Sequence, residues 1–429
     1  MTKRAPTTAS PMHTPKHTLE TCLALDASDP LAGFADRFAR SASGSIHFDA
    51  NSMGAMPVDV PDRIRRVLTE GWRDKSRRAW TTEGWVERPR ELGNDIAHVV
   101  GARPDDVIVC DNTSVNLFKV VSYAWRLRGS GDVILTESHN FCTDLHVAQG
   151  FVRLLDELGV KAKLRTAETR EQLLGMLDRD VAILYLTQTD YRSSERWDLA
   201  AMSERARAAD ALTVWDLSHS AGAIDIDLAR AGADFAIGCG YKYLCGGPGG
   251  PAFLYVNPVH QDQAWPTISG WMGHAKWDRF LTEYEPDPGV ARHLTGTPPV
   301  VANEVFAAAA EIWRKVTRTD VARKHESLTE TLIAVLEQEC GALGVEVDSP
   351  KEYGRRGGHV SFRHPGAGPV CEALVDHGLL CSFRYPASIR LGLSPLYHRH
   401  EDVWRAVQII KDVLAREAWR DPKYERISI

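Results

Sequence analysis

Residues 211–255 read ALTVWDLSHSAGAIDIDLARAGADFAIGCGYKYLCGGPGGPAFLY. The apolar run Leu212–Trp215 ends in Asp216, and a second apolar run, Phe235–Ile237, is followed by Lys242 and the glycine-rich stretch Gly246–Gly250. Short apolar runs bounded by polar or glycine-rich segments are typical of buried strands in a parallel sheet. This segment therefore predicts an α/β fold with an aspartate at a strand end and a lysine beside a glycine turn.

An aspartate at a strand end followed by such a lysine suits the cofactor pyridoxal 5′-phosphate (PLP). PLP chemistry needs a lysine amine that condenses with the cofactor aldehyde and an acid that keeps the pyridine nitrogen protonated. The protonated ring accepts electrons from a carbanion better than a neutral ring does. An isolated pair of this kind is more often a turn-capping carboxylate and a solvated surface lysine, so the choice of PLP depends on the surrounding glycines and alanines and on the rest of the chain.

The same alternation of apolar runs and helical patterns extends from about Ile46 to Pro299, which predicts a large domain with a mostly parallel sheet. Its predicted strands are Val107–Cys110, Asp132–Leu135, Ala182–Leu186, Leu212–Trp215, Phe235–Ile237 and Ala252–Val256. Two long helical patterns, Val300–Thr317 and Val321–Cys340, follow. The predicted elements after them are the strands His359–Phe362, Leu380–Phe383 and Ser388–Leu391 and the helix His400–Ala415.

This order predicts a large α/β domain and a smaller α+β domain. We predict a disordered tail over residues 1–20, because that stretch has three prolines and no apolar periodicity. Residues 21–60 form an N-terminal segment that joins the smaller domain. The large cofactor-binding domain covers residues 61–299, and the smaller C-terminal domain covers residues 300–429.

The composition excludes several classes of protein. The 429 residues are 44% hydrophobic and 25% charged with a formal net charge of −6, which indicates neither disorder nor a nucleic-acid-binding surface. No apolar run approaches the roughly 20 residues that span a bilayer. The eight cysteines contain no CxxC pair, which argues against a metal site or a disulfide framework and favours reduced thiols in the cytoplasm.

Several separated segments match one family in order. They are HFDANSMG from His47, DNTSVNLFK from Asp111, ESHNFCTDLH from Glu137, YLTQTDYRSSERWDL from Tyr185, WDLSHSAGAIDIDL from Trp215, GCGYKYLCGGPGGPAFLYV from Gly238, GWMGH from Gly270, LTGTPP from Leu294 and RLGLSPLYHRHEDV from Arg390. The chain resembles the kynureninases of bacterial type, PLP enzymes with the aminotransferase type I fold, over most of residues 45–410. One departure is Cys142, where the family commonly has proline, and it puts the local loop geometry in question.

The resemblance implies a role for each matched residue. Lys242 carries PLP and moves protons, Asp216 pairs with the pyridinium nitrogen, and Tyr241 lies at the phosphate as a candidate proton carrier. His219 lies near the ring, Phe141 stacks on it, and Cys142, Thr143 and Asp144 belong to the same cofactor-binding run. Arg390 binds the substrate carboxylate, with Asn51 and Ser52 beside the substrate, although a tight turn at Gly54 would explain that motif as well.

The cofactor phosphate has two predicted sources of ligands. Thr113 and Ser114 follow a strand and open an amphipathic helix pattern, so they are expected to cap that helix and to offer free N–H groups to the phosphate. Trp271 and Thr297 resemble phosphate ligands that come from a neighbouring subunit in this fold. The resemblance therefore implies a homodimer.

The activity implied is the hydrolysis of L-kynurenine to anthranilate and L-alanine, with 3-hydroxykynurenine as a second candidate substrate. It places the chain in tryptophan catabolism and the kynurenine pathway towards NAD. Two alternatives stay open. One is another type I PLP enzyme, such as a cysteine desulfurase or selenocysteine lyase, which needs a catalytic cysteine on a mobile loop. The other is a catalytically silent PLP-fold binding protein.

Overall fold

The computed structural model of the chain describes residues 17–425. Its strands are β1 (Ile46–His47), β2 (Val107–Cys110), β3 (Val133–Glu137), β4 (Lys163–Ala167), β5 (Val181–Thr187), β6 (Leu212–Asp216), β7 (Phe235–Gly238), β8 (Ala252–Val256), β9 (Glu346–Val347), β10 (His359–Arg363), β11 (Leu379–Leu380), β12 (Ser382–Arg384) and β13 (Ser388–Gly392). Its α-helices are α1 (Leu19–Ala27), α2 (Val60–Arg66), α3 (Ala79–Thr82), α4 (Arg88–Ala97), α5 (Thr113–Leu127), α6 (Cys142–Glu157), α7 (Arg170–Met176), α8 (Leu199–Ala208), α9 (Leu228–Ala231), α10 (Val300–Trp313), α11 (Arg318–Cys340), α12 (Ala367–Asp376) and α13 (His400–Ala415). A π-helical stretch, Val67–Lys75, continues α2.

The large domain is built on a seven-stranded sheet in the order β2-β8-β7-β6-β5-β3-β4. Every neighbouring pair is parallel except those of β8, which runs antiparallel to both β2 and β7. The predicted mostly parallel α/β sheet is confirmed, and the six predicted strands appear within two residues of their predicted ends. Strand β4 was not predicted.

Alternate residues of the strands enter two cores on opposite faces of this sheet. On β2, Val107 and Val109 pack into one core, while Ile108 and Cys110 pack into the other. This two-residue period follows from the strand geometry, and burial on both faces explains why these strands read as continuous apolar runs. The sheet is therefore covered by helices on both sides.

The helix α10 belongs to the core of the large domain. Phe306 and Trp313 are fully buried within it, and Trp313 Nε1 donates a hydrogen bond to the Leu244 carbonyl at 3.2 Å, in the loop that carries Lys242. The helix α10 thus packs on the large domain, and the domain boundary at residue 299 stays a prediction.

The smaller domain has its own sheet, in the order β12-β13-β10-β9, and a separate apolar core. The N-terminal segment joins it through the parallel pair β1–β11 and through Asp26, whose carboxylate accepts hydrogen bonds from the His400 and Glu401 N–H groups at 2.7 and 2.9 Å. Asp26 thereby caps the start of α13.

We predicted a tail over residues 1–20, and its first 16 residues lie outside the described part of the chain. Its last residues differ from the prediction, because Leu19 and Glu20 begin α1. Thr18 caps that helix by accepting a hydrogen bond from the Thr21 N–H at 3.2 Å.

Candidate active site

The ends of β6 and β7 bring the predicted aspartate and lysine to one cavity. Asp216 is the last residue of β6 and is 4% exposed, and its Oδ1 accepts a hydrogen bond from the Ser218 N–H at 2.6 Å. The Ser218 hydroxyl oxygen in turn accepts from the Cys239 N–H at 3.1 Å, which ties the two strand ends together. Lys242 follows β7 and lines the same cavity, which has a volume of about 180 Å³.

His219 is the direct partner of the lysine. Lys242 Nζ lies 3.0 Å from His219 Nε2, while His219 Nδ1 is buried without a hydrogen-bond partner among residues 17–425. Burial, followed by the charge of Lys242, holds the pKa of His219 well below its usual value. The imidazole is therefore neutral at neutral pH, so its Nε2 can accept a hydrogen bond from the lysine.

A second carboxyl group, Asp144, lies near Asp216. Asp144 is 1% exposed, and its Oδ1 accepts a hydrogen bond from the Tyr185 hydroxyl. Burial and the nearby charge of Asp216 raise the pKa of Asp144 well above its usual value. Two buried carboxyl groups that repel each other are stabilised by a shared proton or by a cationic N–H between them.

The start of α5 lines the same cavity. The structure corrects the predicted cap, because Asn112 is the N-cap and its side-chain oxygen accepts from the Val115 N–H at 3.0 Å. Thr113 and Ser114 are instead the first two helical residues, and both line the cavity. Since the first N–H groups of a helix have no intrahelical acceptor, this end suits an anion such as phosphate.

Three aromatic side chains line the cavity: Phe141, Tyr191 and Tyr241. The Phe141 ring is 38% exposed and meets the Tyr191 ring edge-on at 5.3 Å between centroids. Lys242 Nζ lies 6.0 Å from the ring centroids of Phe141 and of Tyr241. Burial, followed by the proximity of Cys239, raises the pKa of Tyr241, so its hydroxyl is protonated at neutral pH.

The cavity collects most of the predicted cofactor residues and several that were not predicted. The predicted residues that line it are Thr113, Ser114, Phe141, Thr143, Asp144, Asp216, His219, Tyr241 and Lys242. The unpredicted ones are Asn112, Thr187, Tyr191, Ser218 and Cys239. Cys142 is an exposed free cysteine that does not line it. Thr187 could have been found from sequence, because it ends the buried strand β5 just as Asp216 ends β6.

Arg390 lies on β13 of the smaller domain and is 1% exposed. It donates hydrogen bonds to the Tyr191 carbonyl at 2.8 Å, to Ser52 Oγ at 3.0 Å, and to Ser382 Oγ at 3.2 Å from Nε and 3.0 Å from Nη2. Burial lowers its pKa to about 10, so it remains a cation at neutral pH.

No carboxylate within residues 17–425 forms an ion pair with Arg390, although buried cations usually have one. Two acids that follow Arg390 in the sequence, Glu401 and Asp402, have other partners. Glu401 pairs with Arg405 at 2.5 Å, and Asp402 accepts from the Arg399 N–H at 2.9 Å.

The NSMG turn lies between Arg390 and the lysine loop. Asn51 is fully buried, and both polar atoms of its side chain lack a partner within the described chain. Gly54 N–H donates to the Tyr241 carbonyl at 2.9 Å, and a Cβ on Gly54 would come 2.2 Å from the Lys242 carbonyl oxygen. Glycine is therefore required at residue 54 for this close approach, while Ser52 contacts Arg390 directly.

Trp271 and Thr297 do not reach the cavity of their own chain. Both are exposed, and neither lines it. The Trp271 ring stacks on Phe280 at 5.9 Å between centroids.

A second cavity, of about 360 Å³, shares Thr187 with the first and continues between the two domains. Half of its lining residues are charged, among them Glu137, Arg170, Asp190 and Arg363. Among residues 17–425, no cluster of three or more His, Cys, Asp or Glu side chains is arranged to hold a metal ion. No helix in the same range has the length and apolar character needed to cross a membrane.

The donors around the first cavity fit PLP. Lys242 offers an amine, Asp216 and Asp144 offer carboxyl groups for a protonated ring nitrogen, and the start of α5 offers N–H groups for a phosphate. Together with the sheet order, this site defines a PLP-dependent protein of the aminotransferase type I fold.

Comparison with solved structures supports the fold. The chain is similar to the apo cysteine desulfurase from Thermococcus onnurineus NA1, with a TM-score of 0.71 and 19% identity over 87% of this chain and 96% of that one. It is also similar to C-DES with glycine covalently linked to its PLP cofactor, with a TM-score of 0.71 and 16% identity over 86% and 97% of the two chains.

Comparison with curated sequences shows the family. The kynureninase of Pseudomonas fluorescens is 40% identical over 94% of this chain and 97% of its own length. The kynureninase of Burkholderia mallei (strain SAVP1) is 38% identical over 95% and 98%. Residues 321–410 match the model of the kynureninase C-terminal domain. The chain belongs to the kynureninase family.

Proposed function

We propose that this chain hydrolyses L-kynurenine to anthranilate and L-alanine, with 3-hydroxykynurenine as a second substrate. The cofactor is PLP. The observation that carries the proposal is the contact between Arg390 and Tyr191. Arg390 is buried without an ion-pair partner in the described part of the chain, and it donates a hydrogen bond to the Tyr191 carbonyl. Tyr191 in turn lines the cavity that contains Lys242. An amino acid bound there would have its carboxylate at Arg390 and its Cα next to Lys242.

The reaction adds water to the γ-carbonyl of kynurenine, breaks the Cβ–Cγ bond and places a proton on Cβ. When bound, PLP supplies the acceptor for the electron pairs left at Cα and Cβ. Lys242 removes the proton from Cα and later returns one, and neutral His219 holds its amine at 3.0 Å. Asp216 and Asp144 hold the proton on the pyridine nitrogen, and Tyr241 is the candidate proton carrier at the phosphate end.

Arg390 orients the substrate as well as binding it. The Cα–H bond must stand perpendicular to the plane of the cofactor ring, so the carboxylate anchor affects kcat in addition to KM. Ser52, whose hydroxyl accepts from Arg390 at 3.0 Å, and Asn51, whose amide is buried and unpaired, border the same carboxylate.

The chemical experiment has two parts. Reduction of the purified protein with borohydride should fix the cofactor on Lys242, as read by peptide mass spectrometry, and an adduct on another lysine would refute the assignment. Added kynurenine should change the absorption of the bound cofactor and release anthranilate, which is measured by its fluorescence. The Lys242→Ala variant should release none, and exposed Lys276→Ala is the matched control.

We also propose a homodimer in which Trp271 and Thr297 contact the phosphate bound by the partner subunit. Both residues are exposed and neither lines the cavity of its own chain, which supports this arrangement. A mixture of inactive Lys242→Ala and Trp271→Ala chains should regain about a quarter of the wild-type activity. Half of the randomly paired dimers are hybrids, and each hybrid contains one site with both residues intact. No recovery on mixing would refute the shared site.

A cysteine desulfurase is the second candidate, because one of the solved structures with a similar fold is a cysteine desulfurase. That reaction needs an accessible cysteine on a mobile loop, but Cys340 lies at the end of α11 and Cys371 within α12, both buried. Burial also raises the pKa of Cys340 to about 12. Release of sulfide from cysteine, without anthranilate from kynurenine, would support the desulfurase. Bound PLP with no turnover of either substrate would support a silent binding protein.

We place the protein in the cytoplasm, in tryptophan catabolism and in the kynurenine pathway that leads to NAD. The eight cysteines are all free thiols in the structure, which supports a reducing compartment. Fractionation of the native cells would test the location. Accumulation of kynurenine after deletion of the gene would test the pathway.

A further inference from the structure

Lys119 is a buried charged residue that the proposed reaction does not use. It lies in the second turn of α5 and is 2% exposed. Its Nζ lies 2.5 Å from Asp111 Oδ2 and donates a hydrogen bond to the His293 carbonyl at 2.6 Å. Helical side chains point towards the N-terminus of their helix, which allows Lys119 to reach the loop that precedes α5.

Asp111 has an unusual backbone conformation at that loop. Its φ is +46°, in the left-handed region that non-glycine residues rarely occupy. Its carbonyl accepts a hydrogen bond from the Ala252 N–H at 2.9 Å, and the next residue, Asn112, caps α5. The conformation of Asp111 therefore sets the direction in which β2 turns into α5, and with it the direction of the N–H groups at Thr113 and Ser114.

The contact with His293 connects Lys119 to the other proposed phosphate ligands. His293 ends the 3-10 helix Gly289–His293 and is followed by the LTGTPP segment that contains Thr297. The Met272 N–H donates to the Thr295 carbonyl at 3.1 Å, so the Trp271 and Thr297 segments are hydrogen-bonded to each other. Burial, followed by the charge of Lys119, lowers the pKa of His293 to about 3, so its ring stays neutral.

We propose that Lys119 is a positioning residue for the cofactor phosphate. Its ammonium group holds Asp111 in the conformation that aims the start of α5 at the phosphate of its own site. Through the His293 carbonyl, the same group fixes the segment that contacts the phosphate of the partner's site. The inference rests on the proposed PLP function and assigns a role to a residue that touches neither cofactor nor substrate.

The test compares two ligands that differ only at the phosphate. The full-length chain is stripped of cofactor and titrated with PLP and, separately, with pyridoxal, while absorption is recorded. Lys119→Met removes the charge and keeps most of the side-chain volume. We expect its dissociation constant for PLP to rise at least about tenfold, because misdirected N–H groups weaken charge-assisted hydrogen bonds to phosphate. Its dissociation constant for pyridoxal should change by less than about twofold.

Lys324→Met is the matched control. Lys324 is similarly buried at 3% side-chain exposure and pairs with Asp29 at 2.6 Å, and neither residue lines the cavity. This variant should lose stability without changing the ratio of PLP affinity to pyridoxal affinity. Asp111→Asn, which retains a side chain that tolerates a positive φ, should shift the ratio in the same direction as Lys119→Met but by less.

Two results would overturn the inference. Equal weakening of PLP and pyridoxal in Lys119→Met would show that Lys119 supports the fold as a whole, and an unchanged affinity for PLP would show that Asp111 keeps its conformation without Lys119. A wild-type chain that bound neither ligand would instead refute the PLP function itself, and the inference with it. The wild-type titration therefore separates the two failures.

Discussion

Replacement of Arg390 tests the proposed substrate site most directly. The guanidinium has five N–H donors, and the four hydrogen bonds to Tyr191, Ser52 and Ser382 occupy four of them. One donor on Nη1 is left for a substrate carboxylate. Arg390→Ala leaves Phe141, Tyr241 and Lys242 of the cofactor cavity in place, so we expect this variant to bind the cofactor.

The expected loss depends on how many hydrogen bonds the substrate makes. A hydrogen bond between charged groups contributes roughly 1.5–3 kcal/mol, so one such bond predicts a fall in kcat/KM of about 10- to 150-fold. If the carboxylate also displaces Ser382 from Nη2, two bonds are lost and the fall becomes about 10²- to 10⁴-fold. Arg390→Lys should recover little, because the ammonium group lacks the planar fork that holds Tyr191, Ser52 and a carboxylate in fixed directions.

The assay follows anthranilate release at several kynurenine concentrations, with the absorption of the bound cofactor as the control for binding. Both a higher KM and a lower kcat are expected, because the anchor also orients the Cα–H bond. An unchanged kcat/KM in Arg390→Ala would remove Arg390 from the substrate site. A lower activity accompanied by loss of the cofactor would contradict the prediction that Arg390 binds the substrate without supporting the cofactor.

Four further predictions follow from individual contacts. Asp216→Asn should keep bound cofactor but lower kcat by about 10- to 150-fold, since the proposed partner of the ring nitrogen loses a charge-assisted hydrogen bond worth roughly 1.5–3 kcal/mol; near-wild-type turnover would exclude Asp216 from that role. Tyr185→Phe removes a donor that stabilises ionised Asp144, so the acidic limb of the kcat profile should move to higher pH, and an unmoved limb would contradict the carboxyl pair. Cys142→Ala should change kcat by less than about twofold, because the thiol lies outside the cavity, whereas loss of sulfide release from cysteine would indicate desulfurase chemistry. Burial lowers the pKa of His398 to about 3, so its contribution to stability is present above the unfolded pKa of about 6.5 and is lost as pH falls towards 3. In His398→Gln, the difference in unfolding free energy between pH 7.5 and pH 5.0 should shrink by roughly 2 kcal/mol, measured by urea unfolding.

The elements that the sequence predicts well are those whose local pattern matches their environment. The central strands are apolar throughout because both faces are buried, and β6 and β7 therefore stand out from their surroundings. The edge strand β4 reads KLRTA, and of its five residues only Ala167 is buried. An edge strand that faces solvent has no apolar run, so its pairing with β3 depends on a neighbour that the local sequence does not specify.

The site shows the same limit at the level of single residues. Asp216 and Lys242 are predictable because strand ends and a glycine turn place them. The sequence predicted a cap at Thr113 and Ser114, whereas the cap of α5 is Asn112, one residue earlier. Any of several polar residues at the end of β2 could cap that helix, so the exact position was not predictable. The contact of Tyr191 with Arg390 joins two domains, and no spacing along the chain encodes it.

The packing of the N-terminal segment on the smaller domain has a consequence for the order in which the protein is made. Ser52 is synthesised early, but its partner Arg390 follows 338 residues later (390 − 52). At roughly 5–20 residues per second, the ribosome needs about 20–70 s to reach it. During that time Phe48, which is fully buried in the finished core of the smaller domain, has no core to enter. The emerging N-terminal segment therefore presents an apolar side chain to chaperones or to other nascent chains until translation has passed β13.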